Sequence, residues 1–376
     1  MSNRLQALHA LRQSIWLDFI DRTSLKNGDL QRRIRDDALT GMTSNPTIFE
    51  KALAEGTAYD EQLAAAPRNA TTWETFELVE TTDVRDACDI FRPVFDAEQG
   101  GDGFVSIEVS PGSAHSADDT LVEARRLWKT VGRPNVMVKV PGTVEGALAV
   151  RKLIADGINV NITLLFAIEA HAAVIDAYLA GLEDRVKAGQ PIDGISSVAS
   201  FFVSRVDGEV DKRLDALIAK NPADAGKLGA LKGKAAIANA KLAYQLFLEK
   251  FAGPRWTALA AKGARLQRPL WASTSTKNPA YRDVMYVEQL IGANTVDTMP
   301  PATIDAFRDH GESRVTVTEG IDEAKKVIAD LAAAGIAMKD VTDKLLVDGL
   351  ASFQKSFDTL VAGLETKTHA VASAKA

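Results

Sequence analysis

Short apolar runs recur along the chain, and the stretches between them carry polar residues at helical spacing. Eight of the runs read as strands: Ser14–Ile20, Gly41–Phe49, Gly103–Ser110, Asn135–Pro141, Asn159–Leu165, Ile195–Val203, Arg268–Thr276 and Asn294–Met299. Each is short, bounded by turn residues and rich in β-branched or aromatic side chains. Helical periodicity fills the intervals, as in Asp118–Gly132, Glu145–Asp156, Ala167–Ala188 and the long stretch Asp207–Ala252. The segment that begins at Gly142 and Thr143 has an acidic first turn at Glu145 and a glycine, Gly157, placed to close a helix. Strands that alternate with helices predict a parallel sheet, and eight such units predict one closed (β/α)8 barrel.

Such a barrel needs roughly 250 residues, whereas this chain has 376. The surplus falls in extra helices: Arg4–Arg12 at the N-terminus, several around Thr57–Asp96, those within Asp207–Lys262, and the C-terminal patterns Ile321–Ala334 and Val341–Leu364. The expected organisation is a single barrel domain over residues 1–365 with a flexible tail over 366–376, which is rich in Ala, Lys and Ser. The Ala/Lys-rich stretch Asn221–Lys241 reads as a solvated helical pair or an exposed excursion. No repeat of fixed period is visible.

Composition narrows the partners. With 46% hydrophobic and 25% charged residues the chain is an ordinary globular sequence, and a formal charge of -6 gives no basic footprint for nucleic acid or an anionic membrane. The lone cysteine, Cys88, excludes an intrachain disulfide and reads as a small packing residue. Met1–Ser14 has no secretory pattern, and no apolar run approaches ~20 residues, so the expected compartment is the cytoplasm. The histidines His9, His115, His171, His310 and His369 are scattered without metal-ligand spacing, so no metal is expected. The segment Gly229–Ala235 imitates a phosphate loop, but its glycines are one residue too close and Ala235 stands where a hydroxyl should be. No cofactor is implied.

The residue that changes the picture is Lys139, set in the run Val136-Met137-Val138-Lys139-Val140-Pro141. Strand alternation puts the valines on one face and Met137 with Lys139 on the other. The Pro-Gly that follows places Lys139 near the C-terminal end of its strand, where barrels build their active sites. An amine held partly out of water there is more easily kept as the neutral nucleophile that a Schiff base requires. Neighbouring strands present more polar residues on one face: Asp18 beside Trp16, Glu108 beside Ser106, and Asn161 with Thr163. Strand two ends in Thr43-Ser44-Asn45, and strand six contains Ser200. A barrel brings these together, and two carboxylates and a lysine are costly to bury unless they interact. A lysine that forms an iminium with a ketone, a carboxylate to take the hydroxyl proton as a C–C bond breaks, and a second acid/base group make a complete set for aldol chemistry.

The motifs TSNPT, SIEVS, VMVKVPGT, NVNITLLF, SFFVSR and WASTSTKNP, in this order between about Ile15 and Pro300, resemble the transaldolases. Length and late motifs are similar to the longer bacterial branch and to the transaldolase half of fusions with glucose-6-phosphate isomerase. The resemblance implies transfer of a dihydroxyacetone unit from sedoheptulose 7-phosphate or fructose 6-phosphate to glyceraldehyde 3-phosphate or erythrose 4-phosphate, in the non-oxidative pentose phosphate pathway. It implies Lys139 as the Schiff-base lysine, Asp18 as the acid/base for C–C cleavage, and Glu108 acting through a water held by Thr163. Asn45, Asn161, Ser200 and Phe202 would bind the dihydroxyacetone fragment or line its pocket. Arg205, with Ser273 or Ser275 and Lys277, would bind phosphate. Here the sequence departs from the family pattern: Lys277 stands in place of an arginine, and Phe201 in place of a proline.

The alternatives are a class I aldolase of the fructose-6-phosphate type and a catalytically inactive barrel that binds sugar phosphates. The aldolases resemble this family but carry glutamine and tyrosine where Glu108 and Phe202 stand, which favours transfer. The expected partners are sugar phosphates, without nucleic acid or membrane, and the sequence leaves monomer or homodimer open.

Overall fold

Eight parallel strands close on one another in chain order: β1 (Gln13–Asp18), β2 (Leu39–Thr43), β3 (Val105–Glu108), β4 (Val136–Pro141), β5 (Val160–Leu165), β6 (Ser197–Phe202), β7 (Gln267–Ala272) and β8 (Thr295–Met299). β8 pairs back onto β1. This computed structural model describes residues 3–54, 56–67 and 69–374. Every expected strand is present, and the single (β/α)8 barrel with extra helices is the observed architecture.

Five of the strands read from sequence (β1, β2, β3, β6 and β7) run too long at their C-terminal ends, whereas β4, β5 and β8 end where expected. The run expected to continue to Phe49 instead stops at Thr43, and a helix covers Pro46–Ala54. Asn45 accepts a hydrogen bond from the Ile48 amide at 3.0 Å, and Pro46 occupies the first helical turn, where its missing N–H costs nothing. The strand expected to reach Thr276 ends at Ala272, because Ser273 adopts φ +57° and turns the chain.

Helix boundaries follow capping chemistry. Thr71 and Glu74 cap each other reciprocally ahead of the 26-residue helix Thr72–Ala97. Ser116 and Gly132 bracket Ala117–Val131, and Thr143 and Gly157 bracket Val144–Asp156, both glycines being left-handed. The stretch Asn221–Lys241 divides. Its first part is exposed, but Ala235–Lys250 is a helix packed against Ile168–Lys187 and Ile321–Ala333, with Ala236, Ala240 and even Lys241 buried. Lys241 is tolerated because its Nζ donates to the Glu319 carbonyl at 2.8 Å. The Ala/Lys pattern that looked solvated is therefore, in its second half, a small-residue packing face. The last helix spans Met338–Ala374, so the backbone stays helical past residue 365, while residues 375–376 lie outside the described set.

Side chains that point into the barrel form two layers. At the N-terminal end Trp16 donates its indole N–H to Asp102 at 2.8 Å, and Asp102 also holds Ser14 and faces Arg268. Gly41 makes room for that tryptophan: a Cβ there would lie 2.5 Å from the indole ring. Trp16 therefore plugs the bottom of the barrel, and Trp271, on the opposite face of its strand, packs edge-on against Phe201 among the surrounding helices. The upper layer is polar. No helix among the described residues is long and apolar enough to cross a membrane.

Candidate active site

The C-terminal ends of the strands surround a cavity of about 450 Å³. Of the residues singled out from sequence, Asp18, Asn45, Lys139, Thr163, Ser200, Phe202, Arg205, Ser273, Ser275 and Lys277 line it. Glu108 and Asn161 do not line it, but each is bonded to a side chain that does.

Strand register produces these contacts. Glu108 on β3 is the lateral neighbour of Lys139 on β4, and Lys139 is the neighbour of Asn161 on β5. The Lys139 ammonium donates to Glu108 Oε2 at 2.8 Å and to the Ser44 carbonyl at 2.8 Å. Both side chains are almost wholly buried, at 6% and 3% exposed. Burial pushes the Glu108 carboxyl above the usual carboxylate range, opposed chiefly by the Lys139 charge. A proton on Nζ therefore has an acceptor in hydrogen-bond contact whose affinity for it is already raised. The direct side-chain partner of Glu108 is the lysine itself.

Asp18 ends β1, half-buried beside its register neighbour Thr43, whose hydroxyl donates to Oδ1 at 2.8 Å. That hydroxyl is also 2.7 Å from Thr298 Oγ1. Burial raises the Asp18 pKa, while Lys139, the Thr43 hydroxyl, Arg205 and Lys277 pull it down. The opposing influences bear on one carboxyl at the wall of the cavity, the setting in which acid/base groups are found.

Asn161 is fully buried beneath the wall. Its amide donates to Ser106 Oγ at 3.0 Å, and its Oδ1 accepts from Ser200 Oγ at 2.6 Å. It orients Ser200, which reaches the cavity. Thr163 lines the cavity with a buried hydroxyl that has no partner among the described residues. Among buried hydroxyls such an orphan is unusual, and it marks a place prepared for a ligand oxygen or a water. The next residue, Leu164, has φ +57° and interrupts the pairing of β5 with β6. A non-glycine residue there costs roughly 1–2 kcal/mol, and strain of this kind gathers at functional sites.

The mouth is cationic. Arg205 stacks over Phe202 at 5.1 Å, and Lys277 donates to Ser275 Oγ at 2.6 Å. Neither makes a salt bridge among the described residues. Ser273 pairs its hydroxyl with that of Ser204 at 3.0 Å. No group of three or more His, Cys, Asp or Glu side chains among the described residues could hold a metal.

Sequence reasoning missed several lining residues. Lys51 belongs to the helix after β2, where its charge reads as solvated. Phe353 arrives from the C-terminal helix, over two hundred positions from Lys139 in the chain, and no local pattern signals it. Thr43 was legible only as a strand-end hydroxyl, and Thr298, its hydrogen-bond partner, carried no signal of its own.

Comparison with known proteins gives a consistent result. A family model described as Transaldolase/Fructose-6-phosphate aldolase matches residues 15–364. A protein of Frankia alni named transaldolase is 47% identical over 363 residues, covering 96% of each chain. Another so named, from a Parafrankia species, is 46% identical over 99% of this chain and all of its own length. A third, from Trichodesmium erythraeum, is 46% identical over 98% of both.

Proposed function

The chain belongs to the transaldolase/fructose-6-phosphate aldolase family and is a transferase of the transaldolase type, and from that premise we propose that Lys139, Glu108, Asp18 and Thr163 carry the reaction. The donor is a ketose phosphate, sedoheptulose 7-phosphate or fructose 6-phosphate. The acceptor is an aldose phosphate, glyceraldehyde 3-phosphate or erythrose 4-phosphate.

The steps follow from the contacts. Glu108 takes a proton from Lys139 across their 2.8 Å hydrogen bond, and the neutral amine attacks the donor's carbonyl carbon. A proton passes from the attacking nitrogen to the new alkoxide to give the neutral carbinolamine, and Glu108 then returns its proton to that hydroxyl, which departs as water and leaves an iminium. Thr163 holds that water through its unpartnered hydroxyl. Asp18 then accepts the proton of the hydroxyl next to the breaking C–C bond. The bonding electron pair moves into the iminium to give an enamine, and the shortened aldose leaves. The acceptor aldehyde enters, Asp18 returns its proton to the new hydroxyl, and the steps run backwards to release the lengthened ketose. Ser200, oriented by Asn161, and Asn45 hold the three-carbon fragment, Phe202 packs beside it, and Arg205, Ser273, Ser275 and Lys277 face the phosphate.

The observation that carries this reading is the buried Lys139–Glu108 pair at the wall of a cavity that also presents Asp18. Borohydride reduction in the presence of fructose 6-phosphate, followed by peptide mapping, tests it. The expected product is a reduced three-carbon adduct on Lys139, lost in Lys139→Met. An adduct on a different lysine, or none, rejects the assignment. Transfer rather than simple aldol cleavage is checked by omitting the acceptor: free dihydroxyacetone forming as fast as transfer product does with an acceptor present identifies an aldolase.

A further inference from the structure

We propose that Lys51 is a third cation of the phosphate end of this cavity and tunes its preference for phosphorylated sugars. The inference rests on the proposed sugar-phosphate reading of the site and adds a residue to it.

Lys51 lies on the helix Pro46–Ala54, one turn beyond Thr47 and Ile48, and all three line the cavity. Spacings of three and four put them on one helical face. The helix starts directly after Asn45, so the segment that supplies a ligand for the sugar also delivers this ammonium to the rim. Its field is felt across the mouth. Lys277 is held below the ordinary lysine range first by burial, then by repulsion from Arg205, with Lys51 adding to it and Asp18 opposing.

Charge balance points the same way. Apart from Lys139, whose charge is paired with Glu108, the cavity is lined by Lys51, Arg205 and Lys277 and by one carboxylate, Asp18. Three positive charges against one negative leave a surplus of two, whereas a phosphomonoester carries about −1.5 to −2 near neutral pH. Three like charges at one mouth repel each other, and a bound dianion removes that penalty. The arrangement also makes sense of lysine at position 277. A lysine meets phosphate as a point charge and lacks the bidentate fork of arginine. A second ammonium reaching in from the helix after β2 restores field strength at that end. Donor and acceptor phosphates would use this subsite in turn, because the three-carbon unit stays on Lys139 between them.

Inorganic phosphate as a competitor of fructose 6-phosphate supplies the test. Its inhibition constant and the sugar's KM are measured for the parent enzyme, Lys51→Gln, Lys51→Arg and Arg205→Gln. Loss of one charge-assisted contact should raise both constants about tenfold in Lys51→Gln. Lys51→Arg should recover most of the difference, and the dependence of KM on ionic strength should become shallower in the glutamine variant. Borohydride capture on Lys139 should persist at saturating sugar. An unchanged phosphate constant in Lys51→Gln, alongside a raised one in Arg205→Gln, removes Lys51 from the subsite and leaves the sugar-phosphate reading intact. Unchanged constants in both variants, with no capture on Lys139, overturn that reading and this inference with it.

Discussion

Glu108 and Lys139 face each other across adjacent parallel strands, buried and 2.8 Å apart, so that each is the other's principal charge partner. The pair gives the lysine a built-in proton acceptor. It also sets the sign of a pH effect. Burial holds the Glu108 pKa above the ordinary carboxylate range, so its basic form is lost as pH falls through a window higher than that of an exposed glutamate. Glu108→Gln keeps the shape and cannot accept the proton. We expect its rate of iminium formation to fall by about 10²–10⁴, the usual span for a positioned acid/base group. The acid limb of its pH–rate profile should vanish or move to the value set by Asp18. A profile unchanged in shape and height would show that another group deprotonates the lysine.

Asp18 acts at a later step, and the two carboxyls should be separable by kinetics. Asp18→Asn preserves an oxygen able to accept from Thr43 but removes the base for C–C cleavage. Rapid mixing with fructose 6-phosphate should show capture of the ketose on Lys139 at close to the parent rate. Release of the aldose should slow by roughly 10²–10⁴. If capture and release slow together, Asp18 serves iminium formation instead.

Thr163 offers a change in function without a change in stability. Its buried hydroxyl has no partner among the described residues, so Thr163→Val removes an unsatisfied group and keeps the volume. The midpoint of denaturant unfolding should move by no more than about 1 kcal/mol equivalent, and in the stabilising direction. Turnover should drop at least tenfold because the departing water loses its anchor. A strongly destabilised valine variant would mean that the hydroxyl has a structural partner.

How much of this was legible depended on whether a residue's neighbours in sequence are also its neighbours in space. Lys139, Asp18 and Glu108 stood out because each interrupts a strand whose alternate positions are apolar, and a barrel turns that face inward. Register then brings Glu108 beside Lys139, a consequence of fold that strand pattern alone cannot supply. Asn45–Pro46 was misread as strand because Thr43, Thr47, Ile48 and Phe49 favour β-structure, whereas capping by Asn45 and the fixed φ of Pro46 start a helix. Lys51 was lost with that boundary. Phe353 could not be found locally at all. It reaches the cavity because the helix Met338–Ala374 packs along Pro46–Ala54, fixed by the Thr47–Ser356 hydrogen bond at 2.8 Å and by Phe357 against Trp73. Gly41 had no sequence signal either, since its need arises only when Trp16 lies across it.

His171 supplies a stability prediction independent of catalysis. It is fully buried against Phe201, and neither ring nitrogen has a partner among the described residues. Burial pushes its pKa down to about 4, from an ordinary value near 6.5. Between those values the unfolded chain binds a proton that the folded one does not, so stability rises with pH through the window and is lost as pH falls from about 6.5 towards 4. At pH 5 the linkage amounts to about 2 kcal/mol against folding, and at pH 8 to almost nothing. His171→Leu replaces the imidazole with a side chain that cannot titrate. The difference in unfolding free energy between variant and parent, measured by denaturant titration at both pH values, should therefore be about 2 kcal/mol more favourable to the variant at pH 5 than at pH 8. Taking the difference between two pH values cancels the packing change, which is common to both. Equal differences at pH 5 and pH 8 would show that His171 finds a proton partner in the folded protein, and that its ring nitrogens are not orphaned.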